Sequence, residues 1–203
     1  KRLGSLGISA FREAGIEPIA LIALLARIGT SDPVIPVTEA APLIEGFDFS
    51  RFGRAPARFD EQELATLNQK IVHLLDHAAV RDRLPEAMGE AAWRAIRPNI
   101  ETVAQAADWW RVITGPIAAM PVAEEDRAFL QQAAGALTTL PFDETTWQQW
   151  TGVLKEMSGR KGKALFLPLR RALTGVDHGP DMAQLLPLIG QGQALERLRA
   201  ALA

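Results

Sequence analysis

The stretch Asp60–Ala78, DEQELATLNQKIVHLLDHA, decides how this chain is read. Asp60 is a good helix N-cap, since its carboxylate accepts the orphan amides of a first turn, and Glu63 three residues on completes a capping-box pattern. Leu64, Leu67, Ile71, Leu74, Leu75 and Ala78 then mark one face at 3.6-residue spacing, which predicts an amphipathic helix. The same arithmetic continues downstream. A second unit begins near Trp93 and restarts after Pro98, with Ile100, Val103, Ala104 and Ala107 inward and Trp109-Trp110 and Gly115-Pro116 closing it. Glu124, Glu125 and Asp126 favour a helix N-terminus electrostatically, and Phe129, Leu130, Ala133, Ala134 and Leu137 follow as a stripe. Asp143 caps the next helix, Trp147, Trp150, Leu154 and Met157 recur along it, and Gly159 ends it. Leu195, Leu198 and Leu202 mark the last.

Working outward to the front, residues 1–58 are a mixture. Pro18 suits a first helical turn, and Ile19, Leu21, Ile22, Leu24, Leu25 and Ile28 fill nearly every face up to Gly29, so this helix must be buried by neighbours. Phe47, Phe49, Phe52 and Phe59, set among Gly46, Gly53 and Pro56, suit short strands or irregular loops better than a helix. No stretch alternates with period two over its length. The expected fold is mainly α: two helical bundles in series, hinged at Pro116–Ala123, with a small mixed α/β element at the N-terminus.

Composition narrows the function. The 203 residues are 48% hydrophobic and 23% charged, which excludes a disordered tail. Lys and Arg number 22 against 24 Asp and Glu, for a net charge of −2, so a globally basic nucleic-acid binder is excluded and a local basic patch is not. There is no cysteine, hence no disulfide scaffold, thiolate zinc site or cysteine nucleophile. The most apolar run, Ile16–Ile28, is interrupted by Glu17, Pro18 and Arg27 and falls short of the roughly 20 residues a membrane span needs. The N-terminus lacks a secretory signal and an initiator Met, and the chain is expected to be a piece cut from something larger.

Chemical motifs are sparse. Gly-rich phosphate loops and a Gly-x-Ser-x-Gly elbow are missing, and the carboxylates are dispersed. His73 and His77 stand four residues apart, a spacing able to hold a metal, but project away from the core stripe with no third His or thiol nearby; a surface position accounts for them better. Trp93, Trp147 and Trp150 read as core. Trp109 and Trp110 are adjacent and cannot both face one core, so one of them is expected to be partly exposed. One segment stands out electrostatically. Ser158–Val176 holds Arg160, Lys161, Lys163, Arg170 and Arg171 with no carboxylate, interleaved with Leu165, Phe166 and Leu169, and is followed by the turn-rich Thr174–Pro180. A basic helix leading into a rigid loop suits a phosphate backbone and splayed-out bases, and charge alone leaves this open beside a plainly solvated helix face.

At this segment the sequence resembles a family. Gly159–Arg170, running through Ala172-Leu173-Thr174-Gly175 to His178-Gly179-Pro180, resembles the C-terminal signature of bacterial glutamyl-tRNA synthetases. Lys1–Ile8 resembles the end of that family's Lys-Leu-Ser-Lys-Arg loop, and Ala57–Leu64 with Leu67-Asn68 resembles its Lys-Phe-Asp-x-x-Lys-Leu-x-Trp-x-Asn helix start. The resemblance implies a class I ligase that activates glutamate with ATP and Mg and esterifies it to tRNA. It implies that the catalytic, nucleotide-binding half lies outside this chain, leaving Lys1 and Arg2 as the remnant of the ATP loop, with no catalytic residue and no cofactor in this part. The parts implied are a stem-contact region at 1–58, a helical domain on the anticodon stem at 59–118, and a C-terminal anticodon-binding domain at 119–203. By position, Arg170, Gly179, Pro180 and Met182 correspond to anticodon readers. Gly179 stands where some relatives carry a hydroxyl side chain. Arg97 and Asn99 correspond to an Arg-Pro-Arg segment whose second arginine reads the first anticodon letter, and Asn99 departs from it. Arg160, Lys161, Lys163 and Arg171 are expected on the tRNA backbone. The implied partner is tRNA for glutamate, with tRNA for glutamine left open, bound by a cytoplasmic monomer without a membrane. The rival expectations are a non-catalytic helical protein-interaction module and, behind it, a metal or cofactor bundle.

Overall fold

A computed structural model describes residues 7–54, 56–118 and 120–202. Twelve α-helices are present among them: α1 (Ile8–Glu13), α2 (Pro18–Leu25), α3 (Ala41–Glu45), α4 (Glu61–Leu74), α5 (His77–Val80), α6 (Glu90–Ile96), α7 (Ala106–Thr114), α8 (Glu124–Leu137), α9 (Thr146–Ser158), α10 (Lys163–Thr174), α11 (Met182–Ile189) and α12 (Gln191–Ala200). The fold is mainly α, as expected. The mixed element at the front is reduced, among the described residues, to one isolated antiparallel bridge between Thr30 and Phe52. The phenylalanine-rich stretch there forms a 3₁₀ turn, Phe49–Arg51, with the rings of Phe47, Phe49 and Phe52 clustered on one another 5.0–6.2 Å apart.

Packing separates the chain into two compact units, one ending at Ala107 and one beginning at Asp108. The division falls ahead of the expected hinge because the later turns of α7 are bonded to the second unit, through Arg197 as described below.

In the first unit α2 lies on α4, and Ala20, Ala23, Leu24, Leu43, Leu64, Leu67 and Ile71 form the core. Asp60 caps α4 as its sequence demands, accepting from the amides of Gln62 (2.8 Å) and Glu63 (3.2 Å). The helix stops at Leu74, earlier than the apolar stripe. Leu75 turns extended, Leu74 is left 52% exposed, and Asp76 starts α5 by accepting from the Ala79 amide. The cause is distant in sequence: the Leu75 carbonyl accepts from the Trp93 indole (2.9 Å) and the Arg97 guanidinium (2.6 Å). Asn68 is the buried hub of this unit. Its Oδ1 accepts the Glu17 amide at 2.7 Å and its Nδ2 donates to the carbonyls of Glu101 (2.9 Å) and Gly15 (3.4 Å). The burial expected all round α2 is incomplete, since Ile22 and Leu25 are both about half exposed.

The second unit is a bundle in which α8 packs on α9 and α12, α11 on α9, and α10 on α12. Trp150 is fully buried and donates its indole N–H to the Ala133 carbonyl at 2.9 Å, which joins α9 to α8. Leu154 continues that face inward, whereas Met157, the last position of the predicted stripe, is 56% exposed. Gly159 and Gly175 end α9 and α10 in the left-handed conformation.

Candidate nucleic-acid interface

The five cations singled out in the sequence gather about α10: Arg160 and Lys161 stand just ahead of it, Lys163 begins it, and Arg170 and Arg171 lie towards its end. The helix contains Pro168, whose missing N–H leaves the Ala164 carbonyl without its helical donor. Arg160 supplies the replacement: one nitrogen donates to the Ala164 carbonyl (3.2 Å) and to the Asp126 carboxylate, and another donates to the Glu125 carbonyl (2.6 Å). The guanidinium also lies 4.5 Å from the centroid of the Phe129 ring. Arg160 is therefore tied into the bundle. Lys161 and Lys163, by contrast, are exposed and without an ion pair among the described residues.

At the other end of α10, Arg171 makes a side-on pair with Asp177, Nε to Oδ1 at 2.6 Å and Nη2 to Oδ2 at 2.9 Å. The hydrogen bond to Arg171 holds the Asp177 carboxyl below the usual carboxylate range and raises the arginine in return. Arg171 is thus a brace of the turn that follows. Arg170 donates from Nη2 to the Pro180 carbonyl at 3.0 Å, while its Nη1 is buried with no partner among the described residues. Burial pushes this guanidinium down from its usual range, and Asp181 opposes the shift. Thr174 folds back onto the Arg170 carbonyl (2.7 Å), and Asp181 caps α11 by accepting from the Ala183 amide (3.0 Å). Arg170 and the Gly179-Pro180 backbone are brought together. Pro180 is buried and Met182 only 2% exposed, so neither side chain is presented to a partner.

Two residues that the sequence reading did not place here shape the turn. Trp109 on α7, half-buried, sets the outer edge of its indole against Gly179. Arg197 on α12 is 6% exposed and has no carboxylate partner among the described residues. It donates to the carbonyls of Leu173 (2.6 Å), Val112 (2.7 Å), Ile113 (3.2 Å) and Gly115 (2.8 Å), at the carboxyl ends of α10 and α7. Those ends carry the partial negative charge of two helices, so the cation is balanced by dipoles. Neither residue is signalled by a local motif, because their partners lie about 70 and 24–85 residues away in the chain.

The profile of the anticodon-binding-domain family matches residues 63–202, which contains the whole of this arrangement. The chain belongs to that family. Similarity extends beyond the matched region. A glutamate–tRNA ligase of Sphingopyxis alaskensis is 62% identical over 99% of this chain and 46% of its own length, and one of Rhizorhabdus wittichii is 61% identical over 99% and 45%. The chain thus spans a little under half the length of these curated relatives. The crystal structure of a glutamate tRNA ligase from Elizabethkingia meningosepticum, in complex with its amino acid, has the same fold, with a TM-score of 0.77 at 21% identity over 95% of this chain and 42% of that one.

Of the remaining expected residues, Arg97 and Asn99 lie in the first unit. Arg97 is bonded to the Leu75 carbonyl and Asn99 is exposed. Lys1 and Arg2 lie outside the described residues. His73 and His77 are separated by the break at Leu75 and are half-buried, against the expectation that they face solvent. Each ring Nε2 is paired with a backbone carbonyl, Ile100 and Met88 respectively, at 2.9 Å. Among the described residues no cluster of His, Asp or Glu could hold a metal, and no helix is long and apolar enough to cross a membrane.

Proposed function

We propose that this chain is the tRNA-gripping part of a glutamate–tRNA ligase, and that the turn after α10 reads anticodon bases. The observation that supports this most directly is the family match across 63–202, which includes an arginine tied to the backbone of a turn whose Val176 and His178 are exposed. Anticodon bases unstack readily and offer their Watson–Crick edges, and a guanidinium can stack on one and bond its edge. In this reading Arg170 and the Gly179-Pro180 backbone contact bases, Lys161 and Lys163 contact phosphates, and Arg160 and Arg171 hold the scaffold. Asn99, exposed in the first unit, remains a candidate reader of the first anticodon letter, with Arg97 ordering its turn. Activation of glutamate with ATP and Mg is assigned to the rest of the parent enzyme, with Lys1 and Arg2 belonging to its ATP loop. The partner is tRNA for glutamate, bound as a monomer in the cytoplasm.

Titration of the chain with labelled tRNA by fluorescence anisotropy, at low and moderate salt, tests this. Arg170→Ala is expected to weaken cognate binding by about 1–3 kcal/mol and to blunt discrimination between anticodon-swapped tRNAs. Lys161→Ala is expected to weaken every tRNA alike and flatten the salt dependence. Equal affinity of the unmodified chain for all anticodons rejects the proposal. A protein-interaction module is the second reading, favoured by the exposed Phe47, Phe49 and Phe52 cluster. It predicts no salt-dependent tRNA binding at all.

A further inference from the structure

Gly179 has φ +142°, a conformation L side chains rarely adopt, and there is a second reason for glycine here. A Cβ on it would overlap Cη2 and Cζ2 of Trp109 and lie 3.0 Å from Cζ3. The outer edge of the indole thus fills the volume that a side chain at 179 would occupy. Trp109 is half-buried, while His178, next to the same turn residue, is exposed. The adjacent residue, Pro180, receives the Arg170 guanidinium on its carbonyl at 3.0 Å. An indole and a guanidinium therefore approach two consecutive residues of one turn, and both groups can stack on a nucleobase. Core packing alone explains Trp109 less well, since Trp93 and Trp150 in the same chain are at most 1% exposed and each bonds its indole N–H to a carbonyl.

We propose that Trp109 is a base-stacking residue of this turn, offering its indole to one unpaired nucleobase of the bound RNA beside Arg170. The inference rests on the anticodon reading above and adds a residue to it. Glycine at 179 lets the aromatic edge come up to the backbone, so the base at this point meets an indole supplied by α7.

The test uses the full chain and a short RNA hairpin carrying the anticodon loop, with each loop nucleotide replaced in turn by an abasic one. Trp109→Phe is expected to keep most of the affinity, whereas Trp109→Met, large and apolar but without a π-face, is expected to lose roughly 5- to 150-fold. In the unmodified chain one abasic position is expected to give a loss of the same size, and in Trp109→Met that position is expected to give none. Equal affinities of the Phe and Met variants, or a Met loss that persists whichever base is removed, overturn the inference and make Trp109 a packing residue. Should Trp109→Met unfold, 2-aminopurine at the same loop position decides the matter in the unmodified chain and Trp109→Phe. Quenching on binding to both supports stacking, and unquenched emission from both overturns it. If Arg170→Ala still blunts anticodon discrimination while the tryptophan variants change nothing, only this inference falls. If the unmodified chain does not distinguish anticodons, the wider reading falls with it.

Discussion

In each unit a buried polar side chain ties distant stretches of backbone together, and the two do so in opposite electrical states. Asn68 in the first unit is a neutral amide that both accepts and donates, so three loop positions are satisfied with no charge taken out of water. Arg197 in the second is a cation with donors only, and its burial lowers its proton affinity. A buried charge without a counter-ion is ordinarily prohibitive. Here its acceptors are the last carbonyls of α7 and α10, where helix dipoles and orphan lone pairs coincide. An amide organises loops, then, while a guanidinium can bind two helix ends at once.

Arg197→Met should sharpen the contrast most. It leaves carbonyls of two helix ends without donors, and at about 1–3 kcal/mol for each group that finds no water, a loss of about 3 kcal/mol or more is expected in chemical unfolding. Arg197→Lys should recover little, because one ammonium lacks the planar fork that spans both ends. Asn68→Leu is expected to cost somewhat less, about 2 kcal/mol, through the Glu17 amide and the Glu101 carbonyl. If the leucine variant proved the more damaging, the view of Arg197 as the stronger tie would be broken. The smallest effect concerns the exposed brace. Asp177 has a depressed pKa, so its pairing with Arg171 contributes fully above the ordinary carboxylate range and is lost as pH falls through the depressed value. Protection of the amides at residues 175–179, taken relative to their intrinsic exchange rates, should fall on acidification in the unmodified chain, while Asp177→Asn, with no charge to lose, should show the lower protection already at neutral pH.

What the sequence disclosed follows the range of the forces involved. Asp60 and the stop at Gly159 act within a few residues, and the inward positions of Trp150 and Leu154 follow from helical period, so each was legible from spacing. The break at Leu75 was not, because its carbonyl is claimed by Trp93 and Arg97, 18 and 22 residues later. Arg160 reads as a surface cation until Asp126, 34 residues earlier, comes to meet it. Resemblance directed attention to Arg170 and Gly179, yet Arg197 carried no local mark, and the Trp109-Trp110 pair showed only that one of the two would be partly exposed. Their significance arises only when α7, α10 and α12 share one bundle. The apolar surface of α2 was overread for a related reason: hydrophobicity on every face states a demand for cover, and Ile22 and Leu25 have only about half of it among the described residues.

Pro168 links a missing amide and charge in a single exchange. A chain that regained an amide at that position would satisfy Ala164 from within α10, and one of the four duties now holding Arg160 would lapse. How much positive surface this helix offers is therefore governed in part by an uncharged imino acid eight places further on.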